Sequence, residues 1–313
     1  MVNLSVRIGS VTLANPVMPG SGTIAEAIAD VTDLSGLGAI VLKTITPDIR
    51  QGTPPPRVAE FTDATLFSIG IPSKGPDYLL AQTLPFFARF GPPVVASISA
   101  DTTEDFAELA ARISDPRIVA IEANISCPNL RAHGRAFAMD PDMSAEVVSA
   151  MRAATTIPIW AKLTPNVGDI AAIARACEEA GAEALIVANA LLGMAIDAET
   201  RRPKLGNVIG GLTGPAVKPV ILRMVHQCAQ AVRIPIIGCG GISNGEDAVE
   251  YMLAGASAVQ MGTVNFIHPG AMQTAIDWVE AYCRRHGIAD ITDLIGALLP
   301  PPGAEARIKA AAE

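Results

Sequence analysis

Short apolar runs recur along the chain, with segments of helical periodicity between many of them. This alternation is typical of a parallel α/β fold, in which strands buried on both faces read as continuous apolar stretches. The runs predict eight strands, at Pro16–Gly20, Ala39–Lys43, Val94–Ile98, Val119–Ile125, Pro158–Leu163, Ala184–Asn189, Pro235–Gly238 and Ala258–Gly262. A 3.6-residue period predicts helices at Ala145–Ala154, Asp169–Glu179, Pro215–Val232, Gly245–Ala254 and Gly270–Arg285. No Ser- or Pro-rich linker divides them, so residues 1–313 are interpreted as one domain.

The carboxyl ends of these runs change abruptly from Val, Ile and Ala to residues that bind or react. In a (β/α)₈ barrel, the carboxyl ends of all eight strands face the side that carries the active site. An open Rossmann sheet is disfavoured because no GxGxxG sequence opens the first helix. We therefore predict an α/β protein with a (β/α)₈ TIM barrel. Two long turn-rich stretches, Thr46–Lys74 and Leu192–Gly214, are predicted to extend over the C-terminal mouth and to cover a ligand.

Glycines follow the last two predicted strands, in Gly238-Cys-Gly-Gly-Ile242 and Gln260-Met-Gly-Thr263. Unhindered backbone N–H groups at this place in a barrel bind anions such as phosphate. The alternative is that these glycines only relieve tight turns. Two pairs on adjacent strands favour a phosphate, carried either by a phosphorylated substrate or by a flavin mononucleotide.

Lys43 and Lys162 end two otherwise apolar strands, where an unpaired ammonium group is costly. Each is therefore expected to have an anionic partner, and a reduced flavin supplies negative charge near its N1 and O2 atoms. A Schiff-base lysine, as in an aldolase, is the competing interpretation. A surface lysine whose stem covers apolar neighbours is the third.

Cys127 lies where a predicted strand meets a loop, in Glu122-Ala-Asn-Ile-Ser-Cys-Pro-Asn129. Its place beside polar residues at a strand end favours a chemical role as acid, base or nucleophile. The other cysteines, at positions 177, 228, 239 and 283, are interpreted as packing residues. The four histidines follow no metal spacing, and no metal site is predicted.

Charge and hydropathy narrow the choice of partner. A net charge of −8 and a pI near 5.1 disfavour nucleic acid. Mean hydropathy is high at +0.36, yet no uncharged run approaches the ~20 residues that span a bilayer, so membrane insertion is not expected. Because the N-terminus lacks signal-peptide features and the cysteines form no disulfide framework, we expect a cytoplasmic protein that binds a small molecule.

Seven short motifs are spread over the chain: Asn124–Asn129, Ala161–Asn166, Gly193–Asp197, Thr200–Pro203, Gly210–Pro215, Lys218–Pro219 and Gly238–Ile242. Together they resemble class 1 dihydroorotate dehydrogenases, and most closely the catalytic subunit of the NAD-linked (class 1B) type. This resemblance implies an FMN-containing homodimer and a partner subunit that carries FAD and a 2Fe–2S cluster. The chain itself has no cysteine cluster for such a centre.

The resemblance also implies roles for individual residues. Cys127 would be the base that removes a proton from the carbon next to the one that delivers hydride to FMN. The small cyclic substrate would be dihydroorotate, which is oxidised to orotate in pyrimidine biosynthesis. Residues implied to bind FMN are Ser21, Lys43, Thr44, Asn124, Lys162, Gly214, Gly240, Gly241, Gly262 and Thr263. Residues implied to bind substrate are Lys43, Phe67, Ser68, Ile69, Gly70, Ile71, Asn124, Asn129 and Asn189.

The substrate loop departs from the family pattern. Where the family reads Asn-Ser-[Ile/Met]-Gly-Leu-x-Asn, this chain reads Phe67-Ser-Ile-Gly-Ile-Pro-Ser73, and Ala190 stands where the family has Thr or Ser. Each lost amide is expected to weaken dihydroorotate binding by about 1–3 kcal/mol, unless Lys74 binds the substrate carboxylate. Three alternatives therefore stay open: a dihydropyrimidine dehydrogenase-like enzyme for another cyclic substrate, a Schiff-base lyase, and a non-catalytic flavin subunit.

Overall fold

A parallel barrel forms the centre of the computed structural model, which describes residues 2–126 and 136–301. Its strands neighbour one another in chain order, and Gly38 N donates to Val17 O at 2.9 Å to join the second strand segment to the first. The strands are β1 Val17–Pro19, β2 Ile40–Val41, β3 Val94–Ile98, β4 Ile118–Asn124, β5 Ile159–Lys162, β6 Ala184–Val187, β7 Ile236–Cys239 and β8 Ala258–Met261. The predicted (β/α)₈ barrel is confirmed, since every predicted run overlaps one of these strands.

Helices follow the strands around the outside of the barrel. They are α1 Gly75–Tyr78, α2 Leu84–Ala88, α3 Thr103–Arg112, α4 Pro141–Ala154, α5 Ile170–Glu179, α6 Lys218–Ala231, α7 Gly245–Leu253, α8 Val264–Ile267 and α9 Ala271–His286. The five predicted helices are confirmed. Helix α4 begins earlier than predicted because the Asp140 carboxylate accepts hydrogen bonds from the first backbone N–H groups of the helix. The five predicted helices do not include α1, α2, α3 or α8; α1 and α2 are short, each has a proline in its first turn, and a π-helical stretch at Leu79–Thr83 lies between them.

Segments of the two long loops pair with each other in an antiparallel sheet, here called the cover sheet. It contains Val58–Phe61 and Ala64–Phe67 from the loop after β2, and Leu191–Gly193 and Gly210–Thr213 from the loop after β6. Phe67 pairs in register with Gly211 at the centre of this sheet. The Thr263 hydroxyl, just after β8, donates to the Thr213 hydroxyl at 3.1 Å. The two loops therefore form one structure at the carboxyl end of the barrel.

An N-terminal hairpin lies at the opposite end of the barrel. It consists of Val6–Ile8 paired with Val11–Leu13, and both Ile8 and Leu13 are fully buried. At its turn, the backbone N–H and the hydroxyl of Ser10 donate to the carboxylate of Glu183, the residue before β6. The amino end of the barrel is thus covered, which leaves the carboxyl end for chemistry. No helix within the described ranges is long and apolar enough to cross a membrane.

Candidate active site at the barrel mouth

A buried ion pair lies in the barrel interior near the carboxyl end. The Lys162 ammonium on β5 is 3.5 Å from Glu122 Oε1 on β4, and the two side chains are 6% and 0% exposed. Alternate residues of a strand face the same side, which places both side chains toward the barrel axis. Gln260 on β8 joins the two, because its Oε1 accepts from Lys162 at 3.1 Å and its Nε2 donates to Glu122 Oε2 at 2.9 Å.

Both members of this pair are held in their charged forms. Burial alone would raise the pKa of Glu122, yet the Lys162 ammonium and hydrogen bonds from Ser21, Gln260 and Ser97 hold it below its ordinary value. Burial alone would lower the pKa of Lys162, and the Glu122 carboxylate instead holds it above its ordinary value. At neutral pH, the interior of the mouth therefore contains a carboxylate and an ammonium group.

Hydrogen bonds connect this pair to other residues predicted to bind a cofactor. Lys162 donates to Ser21 Oγ at 3.2 Å, in the loop after β1. Ser97 donates to Glu122 at 2.9 Å and lies 2.8 Å from the Thr44 hydroxyl. The Lys43 side chain lies against Gly22, where an added methyl group would be 3.4 Å from Lys43 Nζ. The structure thus brings Ser21, Lys43, Thr44 and Lys162 to one part of the mouth.

A second polar cluster lies at the ends of β4 and β6. The Ser126 hydroxyl donates to Asn124 Oδ1 at 2.7 Å, and Asn189 Nδ2 donates to Ser126 Oγ at 2.6 Å. Asn166 fixes the backbone that follows Asn189, since it donates to Ala190 O and accepts from the N–H of Leu192. The predicted residues Asn124 and Asn189 are therefore in contact, and each amide keeps hydrogen-bonding capacity for a ligand.

The predicted glycine loops lie side by side after β7 and β8. Gly240 and Gly241 have φ values of +148° and +71°, and an added Cβ on Gly241 would be 2.7 Å from the backbone nitrogen of Lys218. An added Cβ on Gly262 would meet only Thr23 Cγ2, at 3.9 Å. Gly214, with φ +101°, ends the cover sheet one residue after Thr213, which contacts Thr263. Positive φ and close neighbours thus require glycine at positions 240 and 241, whereas the space beside Gly262 is open.

The aromatic ring of Phe67 and the methyl group of Ala190 both lie beside Gly211. An added Cβ on Gly211 would be 2.8 Å from Ala190 Cβ and 3.1 Å from Phe67 Cζ, so both groups cover the same face of that glycine. Two departures from the family pattern, one in each loop, therefore lie beside the same glycine. An apolar surface, here called the Phe67–Ala190 wall, therefore lies beside Asn189, where the resemblance implied an amide and a hydroxyl.

The rest of the substrate loop is held by its own neighbours. The Ser68 hydroxyl accepts from Asn207 Nδ2 at 2.9 Å, and Ile69 O accepts from the N–H of Thr53. Gly70 and Ile71 both have positive φ, at +74° and +45°, which makes this segment a tight turn.

Ser73 and Lys74 do not replace the missing substrate amide. The buried Ser73 hydroxyl accepts from the backbone N–H groups of Thr46 and Gly75, so it stabilises the loop. The exposed Lys74 ammonium lies 4.1 Å from the centroid of the Tyr78 ring. The hypothesis that Lys74 binds a substrate carboxylate is thus not supported by its position.

The predicted base, Cys127, and the predicted substrate residue Asn129 lie outside the described residues, so their roles stay predictions. The interpretation of Cys177, Cys228 and Cys283 as packing residues is confirmed, since all three are buried. Burial raises the pKa of the Cys177 and Cys228 thiols to about 12. Within residues 2–126 and 136–301, no group of three or more His, Cys, Asp or Glu side chains is placed to hold a metal ion.

Sequence reasoning missed the partner of Lys162. We expected a flavin to be its anion, and the structure instead places Glu122 beside it, with Ser97 and Gln260 as further ligands of that carboxylate. One signal was present in the sequence, because Glu122 is the single charged residue in the apolar run Val119–Ile125. A buried acid in a central strand predicts a nearby cation.

Comparisons with known proteins agree with this geometry. A family model described as dihydroorotate dehydrogenase matches residues 3–281. The chain belongs to the dihydroorotate dehydrogenase family. It is 49% identical over 299 residues to a protein of Desulforamulus reducens named dihydroorotate dehydrogenase B (NAD(+)), catalytic subunit, an alignment that covers 95% of this chain and 98% of that protein. Proteins of the same name from Geobacter sulfurreducens and Bacteroides thetaiotaomicron are 47% and 46% identical, over 95% of this chain and 98% and 99% of theirs.

Membership in the dihydroorotate dehydrogenase family makes this chain an oxidoreductase that acts on a CH–CH bond. The relatives match almost from end to end, so the family assignment covers the barrel, the glycine loops and all four strands of the cover sheet. The Schiff-base alternative also loses its chemical basis at Lys162. A lysine nucleophile must be a free amine, whereas Glu122 keeps Lys162 protonated.

Proposed function

We propose that this chain is an FMN-dependent catalytic subunit that oxidises dihydroorotate to orotate, with Cys127 as the catalytic base. The observation that carries the proposal is the position of the Lys162 ammonium, which is buried at the end of β5, beside Asn124 in register, and hydrogen-bonded to Ser21 and Gln260. A positive charge at this place is suited to a ring that gains negative charge when it is reduced.

The residues at the mouth fit FMN in shape and charge. Backbone N–H groups of Gly240, Gly241, Gly262 and Thr263 would hold the phosphate, since the two glycine loops follow the last two strands and the space beside Gly262 is open. Lys162, Lys43, Ser21, Thr44, Asn124 and Gly214 would surround the ring. When bound, FMN supplies hydride acceptance, which no amino-acid side chain provides.

The chain's own residues would orient the substrate and move its proton. Asn124 and Asn189 would hold the substrate ring by amide hydrogen bonds, with Asn129 as a third donor. The Cys127 thiolate would accept the proton from the substrate carbon adjacent to the one that loses hydride. The cover sheet would keep water out of the site, since it carries the Phe67–Ala190 wall beside these amides.

Two measurements test the proposal. Purified protein should be yellow and should reduce an electron acceptor when dihydroorotate is added, and a colourless protein that binds no added FMN would contradict it. The variant Cys127→Ser should retain FMN while losing roughly 10²-fold or more of its turnover, since general-base catalysis supplies about that factor. Unchanged turnover would reject Cys127 as the base.

A substrate panel distinguishes the proposal from a dihydropyrimidine dehydrogenase-like reaction. The apolar side chains of Phe67 and Ala190 beside Gly211 favour including uncharged rings, so the panel contains dihydroorotate and 5,6-dihydrouracil at matched concentrations. Dihydroorotate is expected to be oxidised with the higher kcat/KM. A preference for dihydrouracil would instead assign the uncharged ring as the reactant.

Two partners complete the proposal. Relatives are named catalytic subunits, which supports a separate iron–sulfur flavoprotein that would carry FAD and the 2Fe–2S cluster. Homodimerisation is supported by exposed apolar side chains in the loop after β6, at Leu192, Met194, Ile196, Val208 and Ile209. Light scattering of the purified chain should give twice the monomer mass, and a monomeric mass at micromolar concentration would contradict the dimer.

A further inference from the structure

The carboxylate of Glu122 has no assigned role in the proposed reaction, although it is fully buried inside the barrel. Three donors on three other strands reach it: Ser97 on β3, Lys162 on β5 and Gln260 on β8. A buried carboxylate without function is costly to keep, since its desolvation penalty is large. The arrangement therefore calls for a reason beyond packing.

The surroundings of Lys162 identify what Glu122 controls. The groups that face the ammonium are the hydroxyl of Ser21, the amide oxygen of Gln260, the Glu122 carboxylate and the thiol of Cys239. Burial raises the pKa of Cys239, which keeps that thiol neutral. Glu122 is thus the one anion among the described groups that contact Lys162 by hydrogen bond or ion pair.

We propose that Glu122 is a positioning residue for the flavin site, which keeps Lys162 protonated and offsets its charge beneath the FMN ring. This inference rests on the proposed function, because it requires FMN at the mouth. With Glu122 in place, the ion pair presents the same charge to the ring at every pH near neutrality. Without it, Lys162 is a buried ammonium with neutral ligands only, and burial then favours its neutral amine.

Sulfite binding measures the charge that the ring experiences. Sulfite adds reversibly to N5 of an oxidised flavin and places negative charge near N1 and O2, where a cation stabilises it. The bleaching of the yellow colour gives a dissociation constant without any turnover. Dividing the constant of a variant by that of the wild type at each pH removes the pH dependence of sulfite itself.

The decisive variant is Glu122→Gln, which keeps the size and removes the charge. At about pH 6 it should bind sulfite more tightly than the wild type, because a protonated Lys162 is no longer offset. At about pH 9 it should bind more weakly, because Lys162 has lost its proton. The ratio of dissociation constants should therefore rise by about tenfold or more over this range, since one pKa unit corresponds to a factor of ten.

Three controls make the outcome unambiguous. Glu280→Gln removes a surface ion pair with Arg284, and its ratio should stay near one at every pH. In a Lys162→Met background, adding Glu122→Gln should produce no pH-dependent ratio, since the ionisable group is gone. Should Glu122→Gln fail to fold, Glu122→Asp retracts the carboxylate by one methylene and should give a smaller rise of the same sign.

The results that overturn the inference differ from those that overturn the function. A yellow wild type with a ratio that is flat across pH, in Glu122→Gln or in its substitute Glu122→Asp, would reject the role of Glu122 and leave FMN binding intact. A pH-dependent ratio that persists in the Lys162→Met background would also reject it. A wild-type protein that binds no FMN would reject both proposals.

Discussion

Breaking the buried ion pair from either side should destabilise the barrel strongly. Lys162→Met leaves the fully buried Glu122 carboxylate with neutral hydrogen-bond donors only, which are Ser21, Ser97 and Gln260. Removing one partner of a buried pair costs about 3–5 kcal/mol of unfolding free energy, because an uncompensated charge remains. Glu122→Gln should cost a similar amount for the same reason, so the sum of the two single losses is about 6–10 kcal/mol.

The double variant Glu122→Gln/Lys162→Met should lose far less than this sum. It contains no buried charge, and a pair replaced by neutral groups of similar size is often close to neutral in stability. Urea unfolding of the apo-protein at about pH 7 gives the three values, and the coupling energy should exceed about 2 kcal/mol. Additive losses within ~0.5 kcal/mol would refute the reasoning, because contacting charges cannot act independently.

The unfolding free energy should depend on pH in opposite directions in the wild type and in Lys162→Met. In the wild type the pKa of Glu122 is lowered, so its stabilising contribution is present at neutral pH and is lost only as pH falls through that lowered pKa. In Lys162→Met, burial acts without the ammonium and raises the pKa of Glu122 above its unfolded value. The unfolding free energy of that variant should therefore fall as the pH rises from about 5 to about 8. Equal unfolding free energies at about pH 5 and about pH 8 would contradict the raised pKa of Glu122 in Lys162→Met.

Two further predictions concern the walls of the site. Phe67→Asn combined with Ala190→Thr should lower the KM for dihydroorotate by about tenfold for each restored hydrogen bond, at unchanged FMN content; an unchanged KM would show that this wall does not touch the substrate. Gly241→Ala should weaken FMN binding by at least about tenfold, because its φ is +71° and its Cβ would lie 2.7 Å from a backbone nitrogen. Gly91→Ala is the matched control, because Gly91 also has positive φ but no atom lies within 4 Å of its Cβ position. Equal FMN affinities in the two variants would contradict a role of the Gly241 loop in binding FMN.

The barrel is predictable from the sequence because its signal is local. Each strand is a short apolar run, and each run ends in a residue that suits the mouth, as Lys43 and Lys162 do. The cover sheet is not predictable in this way. Its central pairing joins Phe67 to Gly211, so the partners lie in different loops and neither segment has the strict alternation of a half-buried strand.

In the candidate site, too, the features carried by neighbouring residues are predictable from the sequence, and those that join distant residues are not. The glycines after β7 and β8 indicate an anion site by their position in the sequence, and the structure leaves the space beside Gly262 open. The pairing of Glu122 with Lys162 depends on β4 and β5 lying side by side, since the two residues are 40 positions apart in the sequence. Likewise, Phe67 and Ala190 are two separate substitutions in the sequence, and the cover sheet brings both of them beside Gly211.

The cover sheet and the ion pair together determine whether the chain can be divided into two half-barrel fragments. A cut between β4 and β5 would separate Glu122 from Lys162 and would also separate the two pairs of cover-sheet strands. Each half-barrel would then contain a buried charge without its partner and a sheet edge with unpaired N–H and C=O groups. The two halves of this molecule are thus unsuited to exist as separate proteins, and complementation from fragments should require both to be present during folding.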